Sequence, residues 1–138
     1  MHMEVLWPLP GTSEQIISSG KINDNSMVFR LDYGEHSGLF TADLYEAGEG
    51  NLIKSVGTDI LDTDFMKVPH HGWNTSSSEA FVTAVSPELA VAMGRVDMPD
   101  KHRNRYTSVG ATLLFDMYNG YIHVCAGADG VMTYETSR

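Results

Sequence analysis

Two adjacent imidazoles, His70 and His71, are followed by Gly72 and then by the serine run Ser76, Ser77, Ser78. A carboxylate, Asp43, follows the stretch "LFTA" 28 positions earlier. These residue types suit a borderline divalent ion. Zinc takes neutral imidazole nitrogen at about 2.0–2.1 Å and carboxylate oxygen at a similar distance. A carboxylate can also bridge two ions and hold a hydroxide nucleophile between them. Gly72 lets the chain turn sharply and leaves room for a ligand. The serines can cap a following helix, whose N-terminus favours an anionic group. Spacing alone leaves the histidine pair open between ligands and a structural or solvated pair. It leaves Asp43 open between a ligand and a helix cap.

Such groups must be brought together by the elements around them. Residues 3–7 read as a strand closed by Pro8 and Pro10. Residues 11–25 read as a loop. Residues 26–32 and 37–41 read as a hairpin, because Met27, Phe29 and Leu31 alternate with more polar neighbours. Residues 46–56 read as a helix and 64–68 as a short buried strand. Ser76 to Glu79 has the pattern of a capping box ahead of the apolar face Phe81, Val82 and Val85. Residues 89–93 read as a strand, 94–105 as a polar loop, 108–117 as a helix capped by Ser108, and 121–126 with 131–135 as a final hairpin. Strands alternating with helices after an antiparallel start predict an α/β fold, with a mixed β-sheet covered by helices on at least one face. Ligands collect beyond the carboxyl ends of strands in such folds. Asp43, His70–His71 and the segment after "LAVAM" all fall there, so Asp43 and His71 converge if their strands are neighbours.

The bulk composition narrows the function. A chain of 138 residues is enough for one domain with a modest core, and 42% hydrophobic with 20% charged residues predicts a soluble globular chain. The net charge of -9 argues against non-specific binding to nucleic acid or to anionic membranes. Neither a signal peptide nor a membrane-spanning run is legible, and the compartment stays open. Residues 1–3 read as a cloning remnant, leaving His2 without a role. The single cysteine, Cys125, excludes an internal disulfide and reads as a small core residue in a strand. Trp7, Phe29, Phe40, Phe65, Phe81 and Phe115 read as core. Arg95, Lys101, Arg103 and Arg105 make a local positive island that can meet phosphate or simply face water.

The ordered phrases "EVLWPLP", "NDNSMVFRLDYG", "GLFTADL", "DFMKVPHHGWNTSSSEAF", "VSPELAVAMG", "RNRY" and "ADGVMTYET" cover nearly the whole chain. Together they resemble the carboxyl-terminal half of a metallo-β-lactamase-fold hydrolase. The nearest branch is that of ComEC-type DNA-uptake proteins. The resemblance implies a fold equivalent to the C-terminal half of an αββα sandwich, with residues 1–138 forming a single domain or half-domain. It implies a divalent metal, zinc or manganese, with Asp43 bridging two ions and His71 as the last histidine ligand. His70 would sit beside the metals as a catalytic residue touching substrate. Ser76, Ser77, Arg103 and Arg105 are then the candidate substrate-binding residues.

Departures from the family pattern are equally informative. Ala42 stands where glycine is usual, and Trp73 where serine is usual. "RNRY" continues with Thr107–Ser108–Val109 instead of Gly-His-Pro. The family's amino-terminal His-x-His-x-Asp-His motif is absent: the six histidines are His2, His36, His70, His71, His102 and His123. The expectation is therefore a fragment of a metal-dependent hydrolase using a metal-bound hydroxide on phosphoester or nucleic-acid substrates, inactive by itself. A missing half-domain or a second copy would complete the site, and the face left uncovered would favour a homo-oligomer. The competing expectation is a non-catalytic assembly half-domain with vestigial site residues.

Overall fold

The computed structural model describes residues 1–9, 22–94 and 97–138. Most of the expected 11–25 loop, with Pro10 and Arg95, lies outside the described residues. The chain folds as β1 (His2–Trp7), β2 (Val28–Tyr33), β3 (His36–Phe40), α1 (Glu46–Val56), β4 (Phe65–Lys67), α2 (Glu79–Val85), β5 (Leu89–Ala92), α3 (Asp100–Ser108), β6 (Thr112–Phe115), a helical turn α4 (Asp116–Asn119), β7 (Ile122–Ala126) and β8 (Met132–Thr136).

Strands β1 to β6 form one sheet in chain order. The first two pairings are antiparallel. The pairings from β3 to β6 are parallel. The expected mixed α/β sheet is thus present. Its first face carries Leu39, Met66, Ala90 and Ala92, which pack with Leu52 of α1, with Phe81, Val82 and Val85 of α2 and with Tyr106 of α3. Alternation sends their neighbours to the second face. There Leu89, Val91 and Leu114 pack with Phe65 and with Ile122, Val124 and Met132 of the β7–β8 hairpin. That hairpin covers the β4–β6 part of the face. Over β1–β3 the same face holds the stacked pair Phe29 and Phe40, with ring centroids 4.7 Å apart. It also holds Val5, opposite Phe29, and Met3, opposite Leu31. Val5 and Met3 are 50% and 61% exposed.

Several expectations need correction. Residues 112–115 form β6 instead of a helix: Gly110, at φ +84°, reverses the chain after α3, and the short apolar run pairs with β5. The second half of the expected loop 94–105 is the start of α3. That helix is polar nearly all round and buries only His102 and Tyr106, so it has little apolar periodicity to read. The cap of α2 is Ser78, whose Oγ accepts from Phe81 N, and not Ser76. Cys125 is exposed, since Val124 beside it on β7 faces the sheet. Of the six aromatics read as core, Trp7, Phe81 and Phe115 are buried there. Phe29, Phe40 and Phe65 line the second face. His2 pairs with Asp32, so β1 begins inside the segment read as a remnant.

Candidate functional site

Three parallel strands, β3, β4 and β5, end at one edge of the sheet, and each hands over to a turn. After β3, Thr41 Oγ1 donates to the Lys67 carbonyl at 2.7 Å. Ala42 then takes a left-handed conformation at φ 44°, which aims Asp43 toward the β4 end. After β4, Pro69 is followed by two consecutive left-handed residues, His70 (φ 45°, ψ 44°) and His71 (φ 58°, ψ 7°). Non-glycine residues avoid this region because Cβ crowds the backbone. Ser77 adds another such residue at φ 61°. Four of the five left-handed non-glycine residues of the described chain therefore lie in the turns at and beside this edge. Strain of this kind persists where surrounding contacts impose it, and it concentrates at functional sites.

The turns bring Asp43 and His71 together, with Asp43 Oδ1 3.4 Å from His71 Nε2. Both side chains are a little over 40% exposed, so the pair opens to solvent. His71 Nδ1 meets the carbonyl of Met93, at the end of β5, in a very short hydrogen bond. A carbonyl only accepts, so Nδ1 carries a proton toward Met93, and Nε2 is the ring nitrogen that faces Asp43. This is the arrangement in which a histidine serves as a metal ligand through one nitrogen and is oriented through the other. Gly94 makes room for it. A Cβ on Gly94 would lie 3.0 Å from His71 Nδ1. The Gly94 amide donates to both oxygens of Asp116 at 2.9 and 3.0 Å, so the end of β6 buttresses the same edge.

His70 points another way. Its Nδ1 lies 2.7 Å from Thr75 Oγ1. Its ring stacks on Trp73, at 5.7 Å and 22°, and is tilted against Tyr45, at 5.0 Å and 55°. Burial lowers its pKa, with the nearby Asp43 charge opposing that shift.

Lys67 belongs to the site, although its place within "KVPHHG" gave it no role in the sequence. Its side chain is only 10% exposed. The ammonium donates to the Ala42 carbonyl at 2.6 Å and stands 3.8 Å from Asp43 Oδ1. Desolvation lowers its pKa, and Asp43 pulls the other way. A lysine at the last position of a buried strand, beside two histidines, was the signal that could have found it. Gly94, Met93 and Asp116 were missed because they act through backbone atoms or through the undetected end of β6.

The remaining candidates sit elsewhere in the hydrogen-bond network. Ser76 and Ser77 are fully buried. Their hydroxyls are spent on the Leu44 carbonyl at 2.6 Å and on the Tyr106 hydroxyl at 2.8 Å, so neither is presented to a ligand. Glu49 of α1, itself buried, accepts from Ser77 N at 2.5 Å and Ser78 N at 2.8 Å. Burial raises its pKa to about 6 in spite of those bonds. Arg103 bonds the Met98 carbonyl at 2.8 Å and Asp97 at 3.0 Å, and lies over the Phe115 ring. Arg105 bonds the Ser77 carbonyl and stands 3.5 Å from Glu46. Both arginines are tied to groups of the protein itself.

No family model matches the chain. Over 114 residues it is 36% identical to the competence protein ComA of Neisseria gonorrhoeae, which is 79% of this chain and 16% of that protein. It is 31% identical over 90 residues, 62% of the chain, to recombination protein 2 of Haemophilus influenzae, and 30% identical over 69 residues, 50% of the chain, to ComE operon protein 3 of Bacillus subtilis. The chain is a relative of competence proteins. It spans 16%, 11% and 9% of the lengths of these three. No described helix is long and apolar enough to cross a membrane.

Asp43 and His71 supply a carboxylate oxygen and an imidazole nitrogen whose ring is oriented through its other nitrogen, which suits one corner of a zinc or manganese site. Zinc requires about four ligands. Among the described residues, no group of three or more His, Cys, Asp or Glu side chains could hold an ion. The donors present fit part of a metal centre and do not make a whole one.

Proposed function

We propose that this chain is the carboxyl-terminal part of a divalent-metal-dependent phosphoester hydrolase of the metallo-β-lactamase superfamily. It would act on nucleic acid, with Asp43 and His71 as two of the metal ligands. The observation that carries this reading is the meeting of Asp43 Oδ1 and His71 Nε2, with His71 Nδ1 held by the Met93 carbonyl. Further donors would come from a longer chain or a second copy. When bound, the metal would supply Lewis acidity at the phosphorus-bound oxygens. The residues of this chain have their own tasks. Asp43 and His71 offer the donor atoms, Lys67 holds the Asp43 turn, and His70 lines the mouth. Nucleic acid as the substrate class draws on the names of the relatives, which are competence and recombination proteins.

Elemental mass analysis of the chain joined to a half that carries His-x-His-x-Asp-His tests the ligand assignment. Zinc or manganese that Asp43→Ala and His71→Ala each abolish is the expected result. Metal retained by both variants would remove these residues from the centre. A second reading, an assembly half-domain, is favoured by the exposure of Met3 and Val5 on the second sheet face. Phosphodiester hydrolysis on joining the chain to a half that carries His-x-His-x-Asp-His separates the two. Activity that depends on Asp43 supports the hydrolase, and a well-folded but inert complex supports assembly.

A further inference from the structure

Trp73 follows the histidine turn and is half-exposed. One face lies against His70, with ring centroids 5.7 Å apart and planes inclined by only 22°. His70 in turn leans on Tyr45. Despite this backing Trp73 is 51% exposed, so much of the residue remains open to a ligand. Its backbone is pinned on both sides: Trp73 N donates to the His70 carbonyl at 2.9 Å, and Ser76 N donates to the Trp73 carbonyl at 3.2 Å. The ring is thus an aromatic platform on a pinned backbone, stacked on His70, whose chain neighbour His71 meets Asp43.

A flat π-face next to a group that handles phosphate is how proteins hold single-stranded nucleic acid. Phosphate contacts fix the strand, and each base has a face to offer. A base inside a duplex has both faces covered and cannot use the platform. Building on the reading of this site as a nucleic-acid phosphoester site, we infer that Trp73 stacks on an unpaired nucleobase of the substrate next to the bond held at Asp43 and His71. It makes the site selective for single strands. Trp73 is here a binding and specificity residue, and Lys67 keeps its place holding the Asp43 turn.

The chain reports on this directly. It has two tryptophans, and Trp7 is 2% exposed with its indole N–H bonded to the Asp24 carbonyl. Fluorescence quenching by a ligand therefore reads Trp73. The experiment titrates the chain with a thymidine oligonucleotide of about eight nucleotides, a length typical of single-strand sites. The same titration uses an abasic deoxyribose-phosphate strand of equal length, with affinities checked by anisotropy of end-labelled strands. The expected result is quenching by the base-bearing strand and about tenfold tighter binding than the abasic one. Trp73→Ala should remove that difference, and Trp73→Phe, which keeps a ring, should retain part of it. Equal binding of both strands to the wild-type chain would overturn the stacking role and leave the phosphate reading standing. Binding of neither strand would overturn both. A preference for the base-bearing strand that survives in Trp73→Ala would place the stacking elsewhere.

Discussion

The Lys67 ammonium and the Ala42 carbonyl are joined at 2.6 Å across two adjacent strand ends, and the same carbonyl accepts from His70 N at 3.0 Å. One backbone oxygen therefore ties the Asp43 turn to the histidine turn. Lys67→Met removes one of its two donors without orphaning it. The expected cost is about 1–2 kcal/mol of folding stability, near the low end for a charged hydrogen bond. Zinc affinity should fall by about tenfold or more, because Asp43 loses its support. Urea denaturation and a chelator competition check the two parts. Unchanged zinc affinity would show that Asp43 is positioned without Lys67.

Ala42 sits at φ 44°, where an alanine Cβ is crowded and a glycine is at ease. Ala42→Gly relieves that crowding, and the extra freedom of glycine in the unfolded chain offsets part of the gain. The net expectation is a stabilisation of about 0.5–1 kcal/mol, read from denaturant midpoints. A loss of stability would mean that contacts of the Ala42 methyl outweigh its backbone strain.

Glu49 carries a pH dependence whose sign follows from its environment. Its folded pKa, about 6, lies above the ordinary 4.5 because burial disfavours the carboxylate. The folded state thus holds the proton more tightly than the unfolded state. The contribution is fully present below about pH 4.5 and lost as pH rises through about 6, for a total of about 2 kcal/mol. Glu49→Gln removes this titration. The stability of wild type relative to the variant should fall by about that amount between pH 4.5 and pH 7. A flat difference would place the Glu49 pKa at its unfolded value.

The second sheet face over β1–β3 presents Met3 and Val5 beside the Phe29–Phe40 stack. We expect the wild-type chain to self-associate through it, as a rising average mass with concentration in sedimentation. Met3→Lys with Val5→Lys should return it to the monomer. A wild-type chain that sediments as a clean monomer over a wide concentration range ends this idea.

The parts of the fold that follow local rules were legible in the sequence. Helix α1 occupies the residues read as helical, and Asp43 meets His71 because both follow strands that prove to be parallel neighbours. What was not legible depends on distant contacts. The four-residue run of β6 fits a helix or a strand equally well until β5 is beside it. Three adjacent serines look alike as caps. Only the packing of Leu44, Tyr106 and Glu49 around them commits Ser76 and Ser77 to the interior and leaves Ser78 to cap. Lys67 acquires its place from the Ala42 carbonyl 25 residues away.

The six strands of the main sheet stand side by side in the order in which they occur along the chain. A polypeptide emerging from the ribosome can add each strand to an edge already in place, and no strand has to be inserted between two that are paired. Assembly can then run with synthesis, from the amino-terminal edge onward. The site matures in the same direction. The Asp43 turn comes first and the histidine turn second, and His71 is locked only when the end of β5 brings up the Met93 carbonyl. A nascent chain halted before β5 would hold both donors without the contact that aims one at the other.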